Sequence, residues 1–179
     1  MREYVDDAVV LSREPQADAD SRIALYTKRY GKLMVRAKSA RKITSKLSAH
    51  LEPGQLIGVR LVEKNGLQIV DALKKSRVGI SPHTLGVLAG LLAEAEPDLS
   101  LWALLIRESF SWAEVLSILG WDPRGASCTR CEIAAPSHFA LRRQEFFCAP
   151  CASALKFPGG EVLCIDEPLT VSAKAGDGI

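Results

Sequence analysis

The sequence predicts an α+β chain in three parts: a small five-stranded barrel at the N-terminus, a helical middle, and a compact element organised by four cysteines. Three observations carry that division. Apolar residues alternate with a period of two through the first 75 residues, they recur at helical spacing between Ser81 and Gly120, and two Cys-x2-Cys pairs follow. Composition agrees with a folded chain. Of 179 residues, 47% are hydrophobic and 25% charged, which excludes collagen-like, mucin-like and wholly disordered proteins. The length suits one domain or two small ones.

The strands come first. Ala8–Ser12 is short, apolar and β-branched, and a polar stretch at 13–21 follows as a loop. Arg22–Thr27 and Lys32–Lys38 alternate around a turn at Arg29-Tyr30-Gly31, so they form a hairpin. Gln55–Glu63 and Leu67–Leu73 flank Asn65-Gly66, a strong two-residue hairpin signal. Five short antiparallel strands, with a longer connection from Ser39 to Glu52 after the third, suit a small closed barrel. The OB-fold is the commonest nucleic-acid-binding barrel of that strand count. Alternation places Ile23, Leu25, Leu33, Val35 and Ala37 inside, and Arg22, Tyr26, Lys28, Lys32, Arg36 and Lys38 on the outer wall.

Helices follow. Ser81-Pro82 is a capping hydroxyl followed by proline in the first turn, and Leu85, Leu88, Leu91 and Leu92 lie at helical spacing. Ser100 is read as the cap of a second, longer helix ending at Gly120. Trp102, Trp112 and Trp121 are read as core. The expected division is a barrel over 1–77 and, over 78–179, a helical domain with the cysteine module at 128–151 embedded in it. Residues 174–179 are expected to fray. The longest apolar run, from Val78 to Ala93, is too short to span a bilayer, and the N-terminus lacks the basic-then-apolar run of a signal peptide. A soluble, cytoplasmic protein is expected.

Cys128-x2-Cys131 and Cys148-x2-Cys151, sixteen residues apart, have the spacing of a four-thiolate zinc site. The segment between them, with His138–Leu141 and Phe146-Phe147 around a polar turn, reads as a hairpin that brings the second pair beside the first. Four sulfurs saturate zinc and leave no place for water or substrate, so the ion's expected role is structural. Disulfides are the alternative, and they rarely persist in a reducing compartment. Cys164 is read as a buried small hydrophobe, with His138 a minor candidate for a replacement ligand. Motifs for phosphate-loop, serine-nucleophile and deaminase chemistry are absent from the sequence, and the three histidines are scattered. No enzymatic role is expected. Asp6, Asp7, Asp18 and Asp20 are the only dense carboxylates for a metal-dependent nuclease, and a solvated loop is the simpler reading.

Charge is the remaining signal. Through residue 77 the chain carries 16 Lys and Arg against 9 Asp and Glu, whereas from Val78 onward acids outnumber bases 12 to 7. Between Asp20 and Glu52 there are nine bases and no acid: Arg22, Lys28, Arg29, Lys32, Arg36, Lys38, Arg41, Lys42 and Lys46. A solvated charged face is the plain alternative to a polyanion site. Here the bases occur with Tyr26 and Tyr30, and cations for phosphates with rings for stacking bases are what single-strand binding requires. Tyr26 has an equal alternative as a barrel-edge packing residue, and Tyr30 is better read as a turn aromatic that covers the hairpin end.

The stretch VVLSREPQADADSRIALYTKRYGKLMVRAKSARKITSKLSAHLEPG resembles the N-terminal part of the bacterial recombination mediator family RecO. The resemblance rests on Val10-Leu11-Ser12, Asp20 with Arg22, Tyr26-Thr27, Tyr30-Gly31-Lys32, Ala37 to Lys42, Ser45-Lys46 and Leu51-Glu52-Pro53. Leu119-Gly120-Trp121-Asp122 and the four cysteines that follow continue it. The resemblance implies an OB-fold, a helical middle, a zinc element, and a non-enzymatic mediator that binds single- and double-stranded DNA and anneals strands. It also implies that the mediator helps load RecA together with a RecR-type protein and single-strand-binding protein. Lys28, Arg29, Lys32, Arg36, Lys38, Arg41, Lys42 and Lys46 lie in the matching basic region. Ser39 stands where the family usually has glycine, the helical middle is shorter than usual, and the tail after Cys151 is abbreviated. The alternative is an RNA-binding barrel and zinc-ribbon protein of translation or transcription.

Overall fold

The structure, a computed structural model, describes residues 2–16, 19–40 and 47–165. Five strands form the N-terminal, OB-fold-like sheet: β1 (Arg2–Pro15), β2 (Ser21–Thr27), β3 (Gly31–Ala37), β4 (Gln55–Glu63) and β5 (Leu67–Arg77). β1 is longer than the apolar stretch that announces it because it serves two neighbours. Residues 2–9 pair with β4 and residues 8–15 with β2, so main-chain bonds hold its polar ends in the strand. A bulge between Val10 and Ser12 bends it across the sheet. The β2–β3 and β4–β5 hairpins fall where the turn residues place them, with Asn65 and Gly66 both at positive φ. The described pairing between β3 and β5 is one parallel pair, Arg36 with Gln68.

The inward residues form one core: Ala8, Val10, Ile23, Leu25, Val35, Ala37, Ile57, Val59, Leu61, Ile69 and Ala72, sealed by Ala40 and Leu51. This is the alternation expected for β2 and β3, with each Val, Leu or Ile side chain contributing about 1.5–3 kcal/mol on burial. The outer face of β1–β3 departs from expectation. Val9, Leu11, Ala24 and Tyr26 are as buried as the core, because α1 (Pro82–Leu91) packs against β1. Ser81 caps α1, its Oγ accepting the Thr84 N–H.

The segment after α1 is stitched onto β3. The Ala95 N–H donates to the Lys32 carbonyl (2.9 Å), and the Tyr26 hydroxyl accepts the Asp98 N–H (2.9 Å) and donates to the Asp98 carbonyl (3.2 Å). Gly31 makes this approach possible. It sits at φ +67, and a Cβ there would fall 2.3 Å from the backbone C and O of Glu96.

The expected helix from Ser100 to Gly120 is two helices, α2 (Leu99–Ile106) and α3 (Trp112–Ile118). Asp98, not Ser100, caps α2, its Oδ1 accepting the Ser100 and Leu101 N–H groups, and Ser111 caps α3. A second capping residue inside an apolar stripe restarts the helix, and side-chain period does not register that break. Gly120, at φ +94, ends α3 as expected. The chain divides into two compact units between Glu108 and Ser109 rather than after residue 77, since α1 and α2 belong with the strands. In the second unit a three-stranded sheet orders β7 (Glu145–Phe147), β6 (His138–Ala140) and β8 (Val162–Cys164), and α4 (Ala149–Leu155) follows β7. Among the described residues, no helix is long and apolar enough to cross a membrane.

Gly31→Ala is expected to destabilise the first unit by about 2–4 kcal/mol. Thermal melting checks it, with Gly66→Ala, at an open turn with nothing within 4 Å, as the milder comparison.

Candidate nucleic-acid interface and metal centre

The structure divides the basic block instead of spreading it along one wall. Arg22 and Arg36 are directly opposed on β2 and β3, and both are exposed, as is Lys38 just beyond β3. Like charges at opposed positions cost stability unless something neutralises them. Asp20 does so in part: its Oδ2 accepts from Arg36 Nε (2.6 Å) and its Oδ1 accepts the Ser39 N–H (2.7 Å). The Ser39 N–H first, and Arg36 second, hold this buried carboxyl below its ordinary value. Ser39 itself adopts φ +53, the left-handed region that favours glycine. Arg22, Lys28 and Lys38 form no ion pair among the described residues.

Lys28 and Arg29 lie at the other end of the β2–β3 hairpin, about 20 Å along the strands from Arg22 and Lys38 at roughly 3.3 Å per residue. Arg29 is held there. Its Nε donates to Asp6 Oδ1 (3.2 Å), its backbone N–H donates to Asp6 Oδ2 (2.7 Å), and its guanidinium also donates to the Val5 carbonyl. Tyr30 stacks edge-on against Tyr4 at 5.2 Å, which fits its reading as a cover for the hairpin end.

Two residues leave the expected outer surface. Tyr26 is 1% exposed and its hydroxyl is committed to Asp98, so its ring offers no face to a base. Burial pushes its phenol up, keeping it a proton donor. Lys32 is half-buried, and its Nζ donates to the Ala89 carbonyl (3.0 Å) and to that of Leu92, neutralising the C-terminal end of α1. Period-two alternation marks both as outward but does not reveal that helices cover that face. Arg41, Lys42 and Lys46 lie outside the described residues.

Sequence reasoning missed Arg13. Its guanidinium donates to the Ala40 carbonyl (3.2 Å), to the Ser48 carbonyl and Oγ (both 3.2 Å), and to Glu52 Oε1 (2.5 Å). One side chain thus ties together both flanks of the 41–46 connection. No local pattern signals this, because its partners lie 27 to 39 residues away. A cleft of ≈ 690 Å³ along β1, β4 and β5 was also missed. It holds Lys28, Arg29, Arg60 and Lys75, but Asp6, Asp7 and Asp71 line it too, and Lys75 pairs with Asp7 at 2.5 Å. Arg29, Arg60 and Lys75 are each paired with a carboxylate, which leaves Lys28 as the cation of this cleft without an ion pair among the described residues.

The four cysteines converge as their spacing requires. The Glu132 N–H returns to the Cys128 carbonyl (2.8 Å) in the first turn. Cys148 caps α4, and Cys151 lies in its first turn. The Thr129 N–H donates to the Phe146 carbonyl (2.9 Å), tying the first turn to the strand that leads into the second. All four sulfurs lie within 4.8 Å of one another, with Cys131 and Cys148 at 3.6 Å. Burial pushes the Cys128 thiol up, but N–H groups of Cys148, Cys131 and Arg130 outweigh it and draw it down to about 6. Cys151 is pushed up to about 12, first by its hydrogen bond with Cys148 and then by burial. Four thiols this close ionise together only around a cation, so the cluster can hold a metal ion, and a four-sulfur set is compatible with zinc. Cys164 lies outside the cluster on β8, opposite His138 in the sheet, and is half-buried, less enclosed than expected. The His138 ring is engaged by Ser137 (2.8 Å), away from the sulfurs.

Residues 1–77 match the family model described as "Recombination protein O N terminal". The chain is 26% identical over 173 residues to the DNA repair protein RecO of Bifidobacterium longum subsp. infantis, an alignment covering 81% of this chain and 72% of that protein. It is 29% identical over 167 residues to the DNA repair protein RecO of Myxococcus xanthus, covering 86% of this chain and 66% of that one.

Asp20 gives a pH signature. Its carboxyl lies below the unfolded value of about 3.9, so its contribution is full above that value and is lost as pH falls through the lowered native one. Asp20→Asn is therefore expected to lower stability at neutral pH and to flatten the acid limb of the stability curve, as read by denaturant unfolding between about pH 2 and 7.

Proposed function

We propose that the chain is a member of the RecO family of DNA repair and recombination proteins, to whose members it is similar, and that it is a non-enzymatic mediator that binds single-stranded DNA and anneals complementary strands. In this reading it acts with a RecR-type protein to assist RecA loading, with single-strand-binding protein as a further partner, and double-stranded DNA is also bound. The five-stranded sheet is an OB-fold barrel closed at the Arg36–Gln68 seam.

The observation that carries the reading is the opposed Arg22–Arg36 pair beside Lys38, at the point where the chain leaves β3 for Arg41, Lys42 and Lys46. These cations compensate phosphate charge on two strands at once. That lowers their mutual repulsion and raises their local concentration, while no bond is made or broken. Lys28 is a second, separate contact, and Arg29 contributes only the part of its guanidinium left by Asp6 and Val5. Arg36 keeps Asp20 as partner and meets phosphate with its remaining donors.

Six phosphate contacts give a log–log salt slope of roughly −4, at about 0.7 per phosphate. Anisotropy titrations of a labelled oligothymidylate across salt check it. Lys38→Glu/Arg41→Glu/Lys42→Glu is expected to abolish annealing without lowering the melting temperature, and unchanged annealing by a folded variant sinks the proposal. Tighter binding of structured RNA at matched salt would transfer the reading to an RNA-binding protein.

The ion is zinc, and it braces the fold: when bound, its chemistry is to neutralise four thiolates and cross-link the two cysteine turns. Cys128, Cys131, Cys148 and Cys151 hold it. Metal analysis of the native protein is expected to give one zinc per chain. Chelation or Cys128→Ser is expected to melt the second unit while the first retains its strand signal in circular dichroism.

A further inference from the structure

A second group of cations lies in the cysteine unit, on the turn between β6 and β7 and at the end of α4. The turn between β6 and β7 runs from Leu141 to Gln144, closes with the Gln144 N–H on the Ala140 carbonyl (2.8 Å), and carries Arg142 and Arg143 side by side. Lys156, the residue after α4, faces the same small cleft of ≈ 170 Å³, which Phe157 and Glu161 also line. The Arg143 guanidinium lies 5.2 Å over the Phe157 ring, and that ring is fixed in turn against Phe147 at 5.4 Å. Arg142 Nε donates to Glu161 Oε1 (2.8 Å), which leaves its side chain 82% exposed. Three cations therefore surround the cleft against one carboxylate.

Lys156 is the informative member. It adopts φ 47 and ψ 53, the left-handed conformation that at a helix C-terminus belongs to glycine or asparagine. Stability alone does not call for lysine there. Its side chain lines the cleft.

We propose that this cleft is a second contact for the single-stranded polynucleotide, with Arg142 and Lys156 meeting backbone phosphate and the Phe157-stacked Arg143 plane offering a platform to a base. A guanidinium already stacked on an aromatic ring presents its other face with little further loss of freedom. The inference rests on the single-strand-binding reading above, and adds where outside the first unit the strand is held.

The test uses the full chain and a labelled oligothymidylate long enough to occupy both units. Lys156→Gly is expected to melt higher than the parent because strain is relieved. It is also expected to bind roughly three- to tenfold more weakly and to make the salt slope shallower by about 0.7. Arg143→Ala is expected to weaken binding to a similar degree, with Arg143→Lys restoring the slope but not the full affinity, since lysine supplies charge without a stacking plane. A Lys156→Gly protein that melts higher and binds as the parent does overturns the inference, as does displacement of oligonucleotide from this cleft by polyglutamate at equal charge concentration, which would mark an acidic protein segment as the ligand. Binding by the parent that depends on Lys38, Arg41 and Lys42 but not on Arg143 or Lys156 removes this contact alone. Failure of the parent to bind removes the first reading.

Discussion

The Tyr26 hydroxyl, bonded to both backbone polar groups of Asp98, fixes how much of the first unit's surface remains available. With Gly31 allowing the chain to pass, that contact seats the 94–98 segment beside β3, and α1 closes over β1. The consequences run outward. A tyrosine that alternation places among surface cations becomes a core residue. Lys32 changes from a phosphate ligand into a cap for two helix carbonyls. The cations that remain fall into separate ends of one hairpin.

Electrostatics in this chain is decided by pairing more than by abundance. The cleft along β1, β4 and β5 carries four cations, yet Asp6 holds Arg29 and Asp7 holds Lys75 to the protein. At the opposite end of the hairpin, a single buried carboxylate restrains one guanidinium and leaves its neighbours to solvent. Asp20 also accepts the Ser39 N–H, offsetting a backbone conformation that serine tolerates poorly. The same side chain thus shapes the exit from β3 and meters the charge beside it.

Much of this was legible in the sequence. The hairpin turns, the Ser81-Pro82 helix start, the Gly120 stop and the cysteine spacing are local signals with local causes, and each fell where it was expected. What escaped was non-local. Burial of the outer face of β2 depends on a helix some 60 residues later, the break between α2 and α3 on a serine that resembles any other, and the Arg13 contacts on chain far away in sequence. Periodicity reports which side of a strand a residue takes, and is silent about what lies on that side.

Arg13 has one more consequence. By joining the carbonyls of Ala40 and Ser48 through a single planar group, it makes the two flanks of the intervening seven residues part of the rigid body. The entropy of bringing those ends together is already spent on the scaffold, and changing the span adds only a slowly growing logarithmic cost. Insertions, deletions or changes of charge between those two flanks therefore leave the strands beneath them undisturbed.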